Sequence, residues 1–175
     1  MESGLVKAYD ITKYGEENLL IIRKPGEFLG LTWAITGQDR QIVYETLDAT
    51  TVWRVSRRKF IAFIREQPEA ALPLLDMVTN MYRLHSEHIL SLEYRTVRER
   101  LISYLLYTAN RFGAVQPSGK ILLNVPLRHQ DIASSISCSR ETTSRAIGEL
   151  ERKGLLTNKQ LFITLKNLDE LRSYL

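Results

Sequence analysis

From Leu5 to Val55 the apolar residues fall in short runs rich in β-branched and aromatic side chains, GLVKAYDIT, NLLIIRKPG, QIVYETLD and TTVWRVS. Turn-forming clusters separate them, Tyr14-Gly15-Glu16-Glu17-Asn18 and Thr36-Gly37-Gln38-Asp39. That alternation predicts antiparallel strands joined by hairpins. The spacing then turns helical: Ser56 is placed to cap a helix running to Gln67, with Phe60, Ile61 and Ile64 on one face and Pro68 at its end.

Between Glu69 and Leu92, the residues Leu75, Val78, Tyr82, His85, Ile89 and Leu92 recur at alternating three- and four-residue steps, a coiled-coil-like seam. Leu74, Met81 and His88 widen the stripe, so one flank is expected to pack on its own domain and the other on a partner helix. A further helix is expected from Thr96 to about Arg111, lined by Val97, Leu101, Tyr104, Leu105 and Thr108 and stopped at Phe112-Gly113. Pro117-Ser118-Gly119 then predicts a turn into a strand from Lys120 to Val125.

The segment PLRHQDIASSISCSRETTSRAIGELERKGLL reads as two helices and a tight turn. The first helix is Leu127 to Ser134 with Ile132 and Ala133 inward; Ile136, Ser137 and Cys138 turn; Ser139 caps the second. An inward side beginning at Thr142 and continuing through Ala146, Ile147 and Leu150 leaves Arg140, Glu141, Ser144 and Arg145 outward. Leu155 to Thr157, the polar turn Asn158-Lys159-Gln160 and Leu161 to Leu165 predict a two-stranded wing, and Asn167 opens a last helix to Leu175.

The outward set suits the major groove of duplex DNA. Arginine donates two parallel hydrogen bonds to O6 and N7 of guanine, and glutamate accepts from the amino group of cytosine. Arg140, Glu141, Ser144 and Arg145 are therefore the candidate base contacts. Arg128, His129, Gln130, Ser139 and Thr142, with the helix N-termini, are the candidate phosphate contacts. An exposed salt-bridged helix would explain the charges alone, but not the turn, cap and wing around them.

Charge agrees with this placement. The 175 residues carry a net charge of +4, yet residues 1–95 hold 12 Lys and Arg against 13 Asp and Glu, while residues 96–175 hold 12 against 7. The positive field belongs to the C-terminal part. The single cysteine, Cys138, excludes an internal disulfide and any Cys-rich zinc or iron–sulfur site in one chain, and is expected to pack as a small structural residue. No run approaches the roughly 20 apolar residues of a membrane span, and MESGLVKAYD lacks a signal-peptide pattern, so a soluble, cytoplasmic protein is expected. No Ser/His/Asp set, metal-ligand spacing or phosphate-cradling glycine loop points to an enzyme. His85 and His88 have no third ligand in view and are expected to pack in the seam, and Arg57-Arg58-Lys59 to form a solvated face.

HQDIASSISCSRETTSRAIGELERKGLL, with CSRET followed by Arg, resembles the helix-turn-helix of the CRP/FNR family of bacterial regulators. PGEFLG, the hairpin after it and TTVWRVSRRKF are similar to the second half of that family's cyclic-nucleotide-binding-like β-roll, and residues 69–92 to its long dimerisation helix. The resemblance implies an α+β chain in three parts: a partial antiparallel β-roll over residues 1–67, a dimerisation helix over 68–95, and a winged helix-turn-helix over 96–175. Leu75, Val78, Tyr82, His85, Ile89 and Leu92 become the expected homodimer interface, an inverted-repeat DNA site the expected target, and RNA polymerase an expected partner. A shortened regulator that pairs with another chain is the alternative.

Family members ordinarily have several strands ahead of the position matching Met1, so the resemblance implies a roll incomplete at its N-terminus. Members that bind cyclic AMP have Gly-Glu and Arg-Ser pairs where this chain has Gly30-Leu31 and Arg40-Gln41. Leu31 cannot accept a ribose hydroxyl, which argues against cyclic AMP, while Arg40 remains a candidate contact for an effector's anion. Iron–sulfur members use an N-terminal cysteine cluster that this chain lacks.

Overall fold

The computed structural model describes every residue except Arg40, the candidate effector contact, which therefore lies outside the described residues. The chain divides into two compact units, one of residues 1–15 and 20–89, the other of residues 16–19 and 90–175.

The first unit is built on a sheet of order β2-β1-β3, from β1 (Val6–Ile11), β2 (Glu17–Arg23) and β3 (Val43–Thr46). β1 and β3 run antiparallel with Lys7 opposite Glu45 and Ala8 opposite Tyr44. The fourth expected strand, TTVWRVS, does not form: Thr51 makes one isolated bridge to Ser3, and Val52, Trp53 and Val55 stand exposed. β-propensity is realised only where a ladder partner is present. Where a hairpin connection was expected, the chain instead makes a short helix, α1 (Leu31–Thr36), bounded by Gly30 and Gly37 with φ of 70° and 73°. Glycine takes these left-handed angles without steric cost.

Ser56 caps α2 (Arg57–Glu66) by accepting a hydrogen bond from Lys59 N, and Phe60 is buried on the expected face. A 3-10 turn, Pro68–Ala70, leads into the long helix α3 (Ala71–Tyr94). All of the seam residues of α3 but the half-buried Leu92 are exposed in the chain by itself: Leu75 is 60%, Tyr82 73% and Ile89 62% exposed.

The second unit opens with α4 (Val97–Phe112), capped by a reciprocal box in which Thr96 and Glu99 each satisfy the other's backbone N–H. Its Leu101, Ile102, Leu105 and Thr108 are buried. The chain leaves the helix directly into β4 (Gly113–Val115), which pairs with β5 (Ile121–Leu123). Gly113 is required at that junction because a Cβ would collide with the Ala109 carbonyl oxygen and lie 2.8 Å from an Ile121 methyl.

α5 (His129–Ser135) and α6 (Arg140–Arg152) follow, then the wing strands β6 (Leu156–Lys159) and β7 (Phe162–Leu165) and the short α7 (Leu168–Arg172). The four strands form one sheet of order β4-β5-β7-β6, so β7 joins the wing to the strand ahead of the helix pair. Ile132, Ala133, Ile136, Ile147, Leu150, Leu156 and Ile163 make its core with the buried face of α4.

Candidate nucleic-acid interface

The link between α5 and α6 is closed by its own backbone. Cys138 N donates to Ala133 O at 3.0 Å and Ser137 N to Ser134 O at 3.3 Å, with Ser137 held at φ 48°. This is the paired bond pattern of a left-handed helix stop, with serine in the place usually taken by glycine. The same device ends α6, where Leu155 N donates to Leu150 O, Gly154 N to Glu151 O, and Gly154 has φ 77°. The first stop turns the chain into the second helix; the second aims it into the wing.

Ser139 starts α6 by accepting from Thr142 N at 3.2 Å, and its hydroxyl donates to Thr142 Oγ1 at 3.1 Å. The inward stripe is Thr143, Ile147 and Leu150, with Ala146 half-buried. The inward side thus begins at Thr143 and not at Thr142. Helical periodicity alone left this choice open, because both are threonines and the stripe is set by contact with α4 and α5. Thr143 Oγ1 is buried without a hydrogen-bond partner.

The other side of α6 presents Arg140, Glu141 and Arg145 to solvent, with Ser144 half-buried between them. Arg145 Nη2 approaches Thr142 Oγ1 at 3.4 Å. Glu141 is held below the usual glutamate range by its own backbone N–H, then by the Ser139 hydroxyl and by the charges of Arg140 and Arg145. It therefore stays a pure acceptor near neutral pH.

Of the expected phosphate contacts, Arg128, Gln130 and Ser139 are exposed beside the N-termini of α5 and α6. Asp131 Oδ2 accepts from Arg128 N at 3.2 Å and fixes the first turn of α5. His129 is placed differently. Its Nδ1 lies 2.7 Å from Ser144 Oγ and its Nε2 2.8 Å from Asn158 Nδ2, so both ring nitrogens are engaged inside the unit. Asn158 was legible in the sequence only as part of the wing turn, and no local pattern links it to His129.

The wing is tied down at several points. Asn158 N donates to Glu151 Oε1 at 3.0 Å and Leu127 N to Leu161 O at 2.8 Å. Arg98 of α4 and Lys153 beyond α6 both lie over the Tyr174 ring, at 4.2 and 5.2 Å, and anchor the chain end.

Elsewhere, His88 is held below its usual range by burial and then by the charge of His85, and both histidines are exposed on α3 in the single chain. Among the described residues, no cluster of His, Cys, Asp or Glu could hold a metal ion, and no helix is long and apolar enough to cross a membrane. Cys138 is a free, half-buried thiol in the turn.

Comparison with known proteins agrees with this geometry. Residues 1–67 match the cyclic nucleotide-binding domain family, and residues 99–174 match the Crp-like helix-turn-helix domain family. The transcriptional activatory protein AadR of Rhodopseudomonas palustris is 26% identical over 87% of this chain and 62% of its own length. The global nitrogen regulator of Synechocystis is 27% identical over 94% of this chain and 73% of its own. The structure of FixK2 from Bradyrhizobium japonicum superposes with a TM-score of 0.81 at 25% identity, covering 98% of this chain and 83% of that one. The chain thus spans less than two thirds of the length of the first of these relatives. With both family domains in the family's order and the helix-turn-helix geometry in place, the chain belongs to the CRP/FNR family of transcription regulators.

Proposed function

We propose that the chain acts as a homodimer that reads an inverted-repeat DNA site through α6. The observation that carries this reading is the division of α6 itself: Thr143, Ile147 and Leu150 are buried, while Arg140, Glu141 and Arg145 stand exposed around a half-buried Ser144. Arg140 and Arg145 would each read a guanine, and the ionised Glu141 would accept from a cytosine amino group. Arg128, Gln130, Ser139 and Thr142 would hold phosphate oxygens and set the register.

The bare seam of α3 supports the dimer. Leu75, Val78, Tyr82, His85 and Ile89 are exposed and Leu92 half-buried in the single chain, and an apolar stripe of this kind is buried by a second copy packed in register. Two α6 helices held by such a dimer would meet successive major grooves about 34 Å apart. Changes in the residue 1–67 domain would act by shifting the pairing of the α3 helices. RNA polymerase is the partner this reading implies once DNA is bound, and the cytoplasm its location.

The test is selection of DNA sites at controlled salt with the unaltered chain, Arg140→Ala and Arg145→Ala. An inverted repeat should be enriched, and each substitution should cost about 1–3 kcal/mol while relaxing preference at one guanine. Failure to enrich any sequence would transfer the assignment to a protein-interaction module.

A further inference from the structure

His129, Ser144 and Asn158 come from three different elements, the first turn of α5, the exposed side of α6 and the wing strand β6, and form one hydrogen-bonded chain. The polarity of that chain follows from donor chemistry. Asn158 presents its amide nitrogen to His129 Nε2 at 2.8 Å, and an amide nitrogen only donates. With the Asn158 amide in this orientation, Nε2 accepts, the neutral ring carries its proton on Nδ1, and Nδ1–H donates to Ser144 Oγ across 2.7 Å. The Ser144 hydroxyl makes no other hydrogen bond among the described residues, so its own O–H is left to donate.

We propose that His129 is a positioning residue that relays the hydrogen-bond polarity set by Asn158 of the wing to Ser144, committing the Ser144 hydroxyl to donate to an acceptor on a base edge. This rests on the reading that α6 faces DNA. The base that satisfies this O–H offers a purine N7, a guanine O6 or a thymine O4, which the amino group of cytosine cannot do. The wing takes part in specificity without touching a base, because it sets which way the ring faces. The reading of His129 as a phosphate contact is replaced: the nitrogens that would meet a phosphate are already bonded inside the unit.

The experiment uses the full chain and its selected site, with Ser144→Ala, His129→Ala, Asn158→Ala and the paired substitutions. The unaltered chain should prefer an acceptor over cytosine at one position of each half-site. Each single substitution should relax that preference by roughly fivefold, the worth of about one hydrogen bond. Pairs should lose no more than singles, and binding to random DNA and its salt dependence should not change. If instead His129→Ala weakens binding to all sequences equally and lowers the salt slope, while Asn158→Ala does neither, His129 is a phosphate contact and the relay is wrong.

Nitrogen NMR of the imidazole in the DNA-free chain, at a pH where the ring is neutral, separates this proposal from the DNA reading. The relay requires Nδ1 protonated and Nε2 bare, with that pattern lost in Asn158→Ala. The opposite tautomer overturns the relay whether or not a site is selected. The required tautomer in a chain that enriches no sequence retains the hydrogen-bond chain but overturns its role in base reading. Asn158→Ala and Ser144→Ala carry the test if His129→Ala does not fold.

Discussion

Lys7 Nζ lies 3.2 Å from Glu45 Oε2, the two residues being directly opposed across β1 and β3, and the lysine side chain is only 2% exposed. The ammonium also lies 4.5 Å from the centre of the Tyr9 ring. Glu45→Gln leaves that charge buried with a weaker partner. The expected cost is about 1–3 kcal/mol, less than for a fully buried pair because Glu45 keeps contact with water. Lys7→Met should cost much less, since the apolar stem stays packed and Glu45 is still hydrated. Both tryptophans, Trp33 and Trp53, lie in the first unit, so urea unfolding followed by their fluorescence measures this directly. Equal losses in the two variants would show that the ion pair does not govern stability there.

Ser137 sits at φ 48° in the turn between α5 and α6, a left-handed conformation that costs a side-chain-bearing residue roughly 1–2 kcal/mol. Glycine removes the strain but adds freedom to the unfolded chain. Ser137→Gly should therefore stabilise the second unit by about 0.5–1 kcal/mol, and Ser137→Val should destabilise it, because a β-branched side chain tolerates this region worst. Helix unfolding followed by circular dichroism is the readout, and an unstable glycine variant is the result that contradicts the strain argument.

Glu99 caps α4 by accepting from Thr96 N and Thr96 Oγ1 at 2.8 and 2.7 Å. The Thr96 side-chain bond, the backbone bond and the Arg95 charge hold its carboxyl below the usual value of 4.5. A depressed folded-state value means that the carboxylate's contribution is complete above the ordinary glutamate range and lost as pH falls through the lower value. Thr96→Ala should accordingly destabilise the chain more at pH 7 than in acid. Urea midpoints compared across that range give the answer, and a gap independent of pH would remove Glu99 from the account.

Tyr82 and Ile89 are 73% and 62% exposed on the seam of α3. Replacing both with glutamate should leave the second unit folded and yield monomers in sedimentation experiments, with tight binding to the inverted repeat lost. Unchanged dimers would place the interface elsewhere; unchanged DNA affinity in a monomer would remove dimerisation from recognition.

Much of the architecture was legible because its causes are local. Ser56, Thr96, Ser139 and Asn167 each accept from a backbone N–H three residues ahead, and each helix starts where that residue predicts. The turn at Ile136, Ser137 and Cys138 and the outward set on α6 followed from a period that a helix imposes within a few residues. The motif that identified the family lies in this same stretch, where sequence and geometry are most tightly coupled.

What local pattern could not decide was anything requiring a distant partner. TTVWRVS has the composition of a strand and makes only one bridge at Thr51, since a ladder needs a neighbour that composition does not supply. Thr142 and Thr143 are equivalent in type, and only packing against the neighbouring helices selects which is buried. Asn158 reads as a turn residue until folding brings it to His129, 29 positions away, and His129 to Ser144, 15 away. By itself, the sequence determined the helices other than α1, their caps and the charges on the exposed side of α6, because those depend on neighbours along the chain. Only the tertiary structure decided which strand lacked a ladder, which threonine turned inward and what holds the His129 ring, because those bonds exist only once remote segments meet.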